Sequence, residues 1–342
     1  MKAKLLVAIS MVAVAASAAS AQSIDTKSCP TGTANSFGVP DQQRATQDAC
    51  QKSIDLFQYM MPQLAISLTG GNATLGQGGT LGPGHFSLGL RANVIRGDLP
   101  QFDNSVTPGV NGAVASTYTT KQQIIGLPVA DLAVGIFGGI PLGITNVGGL
   151  DAIVSASYLP AFNSSTVDVK VPNGSLKLGY GARLGILQES VLVPGVSVTY
   201  LQRDLPTVDL TTSNSNGDTL AVKGFNIKTK AWRVVASKSL LIFGLAVGAG
   251  KDTYNSSAQI SAIVQSRTAP PTSRFSTTPV ALLQNLTRKN AFADLSLNLL
   301  LLKITGEIGQ VSGGTVTTYN KFSGNAADAS RLFGSLGVRL GF

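Results

Sequence analysis

The chain has 342 residues, of which 44% are hydrophobic and 13% charged, whereas an ordinary soluble domain carries about 25% charged residues. Its longest apolar run after the N-terminus, residues 295–302, is broken by Asn298 and falls well short of the roughly 20 residues a spanning helix needs, which argues against a helical membrane protein. The formal charge of +9 comes from scattered Lys and Arg without a basic–aromatic cluster, so nucleic acid is not an expected partner; the excess reads as solvated loops and ion pairs, or as a lumen or rim that favours anions.

At the N-terminus, Lys2 and Lys4 precede an apolar stretch over 5–16 and the small-residue site Ala19-Ser20-Ala21. This pattern predicts a cleaved export signal over 1–21. No Leu-x-x-Cys box precedes Cys29, which speaks against a lipid anchor. Export brings Cys29 and Cys50 into an oxidising compartment, where the even count predicts a disulfide. It would close a loop of about 22 residues, worth roughly 3 kcal/mol in the chain-entropy model.

Residues 22–83 form an N-terminal segment. Within it 41–61 is predicted helical: Asp41 can cap it, and Ala45, Ala49, Ile54, Phe57 and Met61 recur at helical spacing. Pro62 is expected to end the helix. The stretch 70–84 is glycine-rich but lacks a following Gly-Lys-Ser/Thr and leads into a strand, so it is no phosphate loop; it reads as a flexible connector.

From His85 onward the period is two. Phe86, Leu88, Leu90, Ala92 and Val94 alternate with Ser87, Gly89, Arg91 and Asn93; Leu176, Leu178, Tyr180, Ala182, Leu184 and Ile186 alternate with Lys177, Gly179, Gly181, Arg183 and Gly185. Further alternating segments fall near 129–138, 149–159, 194–204, 222–236, 239–252, 291–299 and 302–309, and the chain ends on Leu336-Gly337-Val338-Arg339-Leu340-Gly341-Phe342. The parity is ambiguous around 228–233, where a bulge is expected. Links near 139–148, 188–193, 237–238 and 300–302 are short; those near 97–128, 160–173, 205–221, 253–289 and 312–330 are long. Short and long links alternate and the count is even, as in an antiparallel up-and-down transmembrane β-barrel with short periplasmic turns and long outer loops. The expected fold is therefore all-β: a barrel over 84–342 of about ten strands, within a range of 8–14, preceded by a short helix that sits in the periplasm or enters the lumen. Tyr158, Tyr180, Tyr200 and Tyr254 are expected in an outer aromatic girdle, with Trp232 and Phe342 toward the periplasmic side.

The inward parity is rich in glycine, which leaves space for a channel or for the helix, or else serves strand curvature. It also carries Arg91, Lys177, Arg183, Arg203 and Arg339, offset by Asp131, Asp151, Asp294 and Glu307. The acids read as partners in lumenal ion pairs. His85, the one histidine, lies at the rim without a nucleophile beside it. No catalytic constellation, metal site or cofactor is expected.

The signal, the alternating strands and the terminal sequence together resemble bacterial outer-membrane β-barrel proteins. The strings Phe86-Ser87-Leu88-Gly89-Leu90-Arg91-Ala92 and Leu297-Asn298-Leu299-Leu300-Leu301-Leu302-Lys303 are similar to those of an uncharacterised barrel family. The long-chain fatty-acid transporter family is a possible relative through its plug, although this chain is shorter and shows no hatch motif. The resemblance implies residence in outer-membrane lipid and insertion by the barrel assembly machinery, with Val338, Leu340 and Phe342 as the terminal signal it reads. A narrow passive channel for small solutes, with weak anion preference, is the expected function. The alternatives are a non-conducting structural or adhesive barrel, a carrier of hydrophobic molecules, and a soluble periplasmic β-sandwich.

Overall fold

A computed structural model describes residues 29, 40–101, 115–163, 167–213, 217–265, 274–277 and 279–342; the expected signal lies outside them. One helix, α1 (Pro40–Thr69), precedes ten long antiparallel strands: β1 (Phe86–Pro100), β2 (Thr120–Phe137), β3 (Leu150–Tyr158), β4 (Leu176–Leu187), β5 (Gly195–Asp204), β6 (Thr219–Leu240), β7 (Phe243–Gln265), β8 (Val280–Leu299), β9 (Leu302–Ser312) and β10 (Arg331–Gly341). Each pairs with its sequence neighbours, and β10 pairs back onto β1, with Leu88 opposite Leu340 and Ile95 opposite Phe333. The sheet is thus a closed barrel, with no free edge at the level of this seam.

The outer surface explains the alternation. Leu88, Leu90, Leu132, Val134, Leu178, Leu184, Val234, Leu245, Val247, Leu295, Ile304, Ile308, Leu336 and Val338 are all exposed. In water such a continuous apolar belt would be an aggregation site, whereas in a bilayer it is the lipid contact. It includes the tips of the short turns, where Leu241 and Leu300 stand fully exposed with positive φ. From Leu300 to Ala291, where β8 turns polar outside, nine steps of about 3.3 Å tilted by about 40° rise roughly 23 Å, close to the ~25 Å apolar band of outer-membrane barrels.

Above this band the two faces exchange chemistry. On β7 the outward residues change from Phe243, Leu245 and Val247 to Lys251, Thr253 and Asn255, while the inward residues become Tyr254, Ala258, Ile260 and Ala262. β6, β7 and β8 run to 22, 23 and 20 residues and continue past the bilayer. Much of the expected outer loop 253–289 is therefore strand, and so are the two ends of 97–128. The bulge in β6 falls between Lys223 and Asn226, upstream of where the parity was ambiguous.

That inverted interior is filled by α1. Ile54, Phe57, Met61, Ala65 and Leu68 pack with Leu127, Val129, Leu205, Phe225, Ile227, Tyr254, Ile260 and Leu286, and Phe57 meets Phe225 edge-on at 5.7 Å. The polar side of α1 is buried too. Asp55 accepts hydrogen bonds from the Tyr319 and Asn320 amides at 3.0 and 2.8 Å, and Tyr59 stacks on Phe322 at 3.8 Å. A helix enclosed on every side has no need of a strong apolar stripe. One sequence expectation gives way here. The helix does not stop at Pro62 but runs on to Thr69: an interior proline costs about 3 kcal/mol, and burying Met61, Ile66 and Leu68 offsets that at about 1.5–3 kcal/mol each. Of the two places expected for it, the periplasm or the lumen, the helix takes the lumen. It stands inside the barrel, its C-terminus mid-lumen and its N-terminal half among the long connections. Cys29 and Cys50 form a disulfide at that far end, with their Cα atoms 5.9 Å apart.

Candidate functional site

The lumen is organised around the C-terminus of α1. The last carbonyls of a helix lack intrahelical partners and carry partial negative charge, and α1 has no basic residue in its own last turn. The barrel wall supplies three. Arg203 donates to the Thr69 carbonyl at 2.8 Å. Arg233 donates to the Gly70 and Gly71 carbonyls at 3.0 and 3.1 Å, and Arg91 to that of Asn72 at 2.5 Å. Each guanidinium is held by a wall carboxylate: Asp131 takes both Arg203, at 2.7 Å, and Arg91, at 3.3 Å, and Asp252 takes Arg233 at 2.5 Å. These groups form a buried arginine collar around the chain.

Below the collar, 70–84 runs toward the short-turn end and is bonded along its length. Glu307 accepts from the Gly71 and Asn72 amides at 2.9 and 2.6 Å. Asp294 accepts from the Gly76 amide at 2.9 Å and the Asn72 side chain at 3.0 Å. Arg339 donates to Gln77 at 2.6 Å, and Lys303 to the Gly76 carbonyl at 3.3 Å. Asp151 accepts from the Leu81 amide at 3.0 Å and from Arg183 at 2.9 Å, while Arg183 also reaches Thr74. The expected flexible connector is instead a plug. Glycine at two positions follows from close approach: a Cβ on Gly71 would run into the Glu307 carboxylate, and one on Gly78 would lie 2.7 Å from the Ser237 backbone nitrogen.

Of the expected inward charges, Arg91, Arg183, Arg203, Arg339, Asp131, Asp151, Asp294 and Glu307 all touch the plug or a residue that does. Lys177 shares the parity but is exposed beyond the network. Asp294 and Glu307 are not the ion-pair partners expected: they stand opposite one another across β8 and β9 and accept backbone amides of the plug. Inward glycine serves more than one end. Gly337 makes room for Leu75 and Gly135 for the backbone of Gly82, whereas Gly248 and Gly309 accommodate the rings of Phe292 and Phe333. Sequence reading missed Arg233 and Asp252 as collar members: Arg233 falls in the stretch of ambiguous parity, whereas Asp252 occupies the last inward position of a strand it had found.

A second feature lies higher, between α1 and the wall. Strand β2 pairs with β3 only as far as Val129 opposite Ser157, so the β2 stretch 120–128 has no strand partner on that side among the described residues. Behind this gap is a cavity of about 440 Å³, lined on the helix by Leu56, Phe57, Met60 and Leu64 and on the wall by residues such as Leu127 and Phe225. Its lining is almost wholly apolar. On its outer side this stretch of β2 still presents exposed Gly126 and Ile124, the latter 79% exposed, so its outer face stays apolar beside the gap.

The aromatic residues form two belts, with two corrections. Tyr158, Tyr180 and Tyr200 lie toward the long-loop end, and Trp232 joins them: it sits opposite Tyr200 with ring centroids 4.8 Å apart, not at the other rim. Tyr254 is 0% exposed and faces α1, bonded to Asp252 at 3.2 Å. At the short-turn end Phe342 stacks on Phe86 at 4.9 Å. Phe342, Leu340 and Val338 all face outward, and reciprocal Phe86–Phe342 backbone bonds finish the seam.

A closed, even-stranded, antiparallel barrel with an apolar exterior between aromatic belts and a charged interior is an outer-membrane β-barrel, and the protein resides in the outer membrane. Among solved structures the chain is similar to the attachment invasion locus protein Ail of Yersinia pestis, at 10% identity over 76% of this chain and 99% of that one, with a TM-score of 0.22. It is also similar to the Ralstonia pickettii toluene transporter TbuX, at 10% identity over 81% and 93% with a TM-score of 0.29. The Pseudomonas putida toluene transporter TodX matches at 9% identity over 75% and 88%, with a TM-score of 0.27. No family model and no curated protein matches the chain. These likenesses are too distant to carry an activity across.

Proposed function

We propose that this barrel is a small-molecule conduit, closed at rest by its own N-terminal segment, that takes up an apolar compound through the gap beside β2. The observation that carries this reading is the apolar cavity between α1 and the wall, lined in part by Ile125, Gly126 and Leu127 of the unpaired β2 stretch. Its size lies within the 300–1,000 Å³ range of small-molecule sites. An apolar solute concentrated in the outer leaflet can enter it without crossing the long loops. The polar lumen below gives a solute no standing passage, so transfer needs movement of 70–84. On this reading the short-turn end faces the periplasm and the long loops face outside. The terminal strand, with Val338, Leu340 and Phe342, is the part addressed to the assembly machinery.

The test is binding of the apolar fluorophore N-phenyl-1-naphthylamine to the protein in lipid nanodiscs, measured against empty nanodiscs. Saturable binding is expected, together with its loss in a variant whose cavity is filled by Leu64→Trp and Met60→Trp. Equal signal from the filled variant and the parent refutes the site. Steady ohmic conductance by the parent protein in a planar bilayer would favour a passive open channel instead.

A further inference from the structure

Immediately above the lipid belt, the outward face of β6, β7 and β8 carries a cluster of lysines. Lys251 and Lys289 stand directly opposite one another in the β7–β8 register, and Lys251 is opposite Trp232 of the outer aromatic belt. Lys230 lies two residues beyond Trp232 on the same face. All three lysines are exposed, and none is in an ion pair with a described carboxylate. Thr253 and Thr287, which flank Lys251 and Lys289 on this face, are uncharged, while Lys228, which flanks Lys230, adds a further cation and stands opposite Asp204. Like charges placed directly opposite across a ladder are destabilising, so an anion on this patch would relieve a repulsion built into the fold.

The position selects the anion. The belt rises roughly 23 Å from the turn tips to this level, so the lysines sit where headgroups begin, above one leaflet only. The other rim has no counterpart among the described residues. There Lys303 and Arg339 turn inward to the plug, and Lys238 folds back onto the Ser190 and Val191 carbonyls. A soluble anion would have no reason to prefer a patch continuous with lipid-facing Val234, Val247 and Leu295. We propose that Lys230, Lys251 and Lys289 bind the phosphates of a phosphorylated glycolipid in the leaflet at the long-loop end, with its acyl chains lying on the apolar strips of β6–β8. This inference does not depend on the apolar cavity; the choice of leaflet follows from the long loops facing outside.

The experiment is native mass spectrometry of the full-length protein released from nanodiscs of phosphatidylcholine doped with diphosphoryl lipid A, its dephosphorylated form, or phosphatidylglycerol. Diphosphoryl lipid A is expected to be retained, and the dephosphorylated form not, a comparison that needs no variant. At about 1 kcal/mol per lysine near a charged lipid surface, the triple variant Lys230→Gln, Lys251→Gln, Lys289→Gln is expected to bind on the order of 100-fold more weakly while keeping its heat-modifiable migration. Equal retention of the dephosphorylated lipid, or unchanged retention by the triple variant, overturns the proposal. Preferential retention of phosphatidylglycerol also overturns it, and points to reversed orientation rather than to an inert patch.

Discussion

The collar predicts how firmly the plug is held. In a double variant Arg233→Met, Asp252→Asn, the guanidinium is removed together with the carboxylate that would otherwise be left as an unpaired buried charge. Two charge-assisted bonds are lost, to the Gly70 and Gly71 carbonyls. Such bonds are worth about 1.5–3 kcal/mol each, so the loss is about 3–6 kcal/mol gross, and roughly 3 kcal/mol once water reaches the freed carbonyls. At 1.36 kcal/mol per decade this shifts the plug equilibrium toward release on the order of 100-fold. The remaining collar, Arg203 and Arg91 on Asp131, stays intact, so the barrel should still form and migrate normally on unheated gels. Planar-bilayer recording reads the outcome: brief conducting events, rare in the parent, should lengthen and multiply, and the amides of 70–76 should exchange faster. Recordings as quiet as the parent's, with parental exchange, would show that the collar does not hold the plug.

Other expectations follow from the same geometry. Gly78→Ala places a Cβ against the Ser237 backbone and should loosen the plug by about 1–3 kcal/mol, seen as faster proteolysis within 70–84 in intact barrels. Cys29→Ser with Cys50→Ser removes about 3 kcal/mol of loop constraint at the far end of α1, so protection of 46–56 should fall while heat-modifiable migration is unchanged; a barrel that no longer forms would contradict this. Leu336→Arg puts a charge on the lipid face at a position 67% exposed and should cost about 2–4 kcal/mol, measured by urea titration of vesicle-embedded protein.

Much of the barrel could be read from the chain because a strand's facing is a local property. Leu176 to Ile186 declare their sides by neighbour alternation alone, and the turn lengths give the order. The reading failed where the environment changed along a strand. Above the bilayer the inward side becomes apolar because α1 packs there, so Ile227 and Ala231 face in while Lys228 and Lys230 face out, the reverse of the code below. The stretch 258–264, placed within an expected outer loop, is for the same reason the continuation of β7. Tyr254 was assigned outward because an aromatic near a strand end suggests a girdle, although its even position puts it on the side of Asp252. The plug was least legible. Gly71 and Asn72 are ordered by Glu307, 236 and 235 residues away, and no local pattern in 70–84 encodes a partner at that separation. The same distance hid the collar: a helix that borrows its C-terminal cations from the surrounding wall shows none of its own.

The seam between β1 and β10 encircles a segment that is continuous with β1. The chain leaves the Phe86 end of that strand, passes up through the ring, and emerges among the long loops as a helix whose far end is tied into a covalent loop. Drawing that assembly through a ring already shut would demand passage of a folded, cross-linked bundle past three paired arginines. An order of assembly in which the leader lies in the cradle before the first strand meets the last avoids that passage. Mutations that weaken that cradle should register first as slow biogenesis, before any defect appears in the finished molecule.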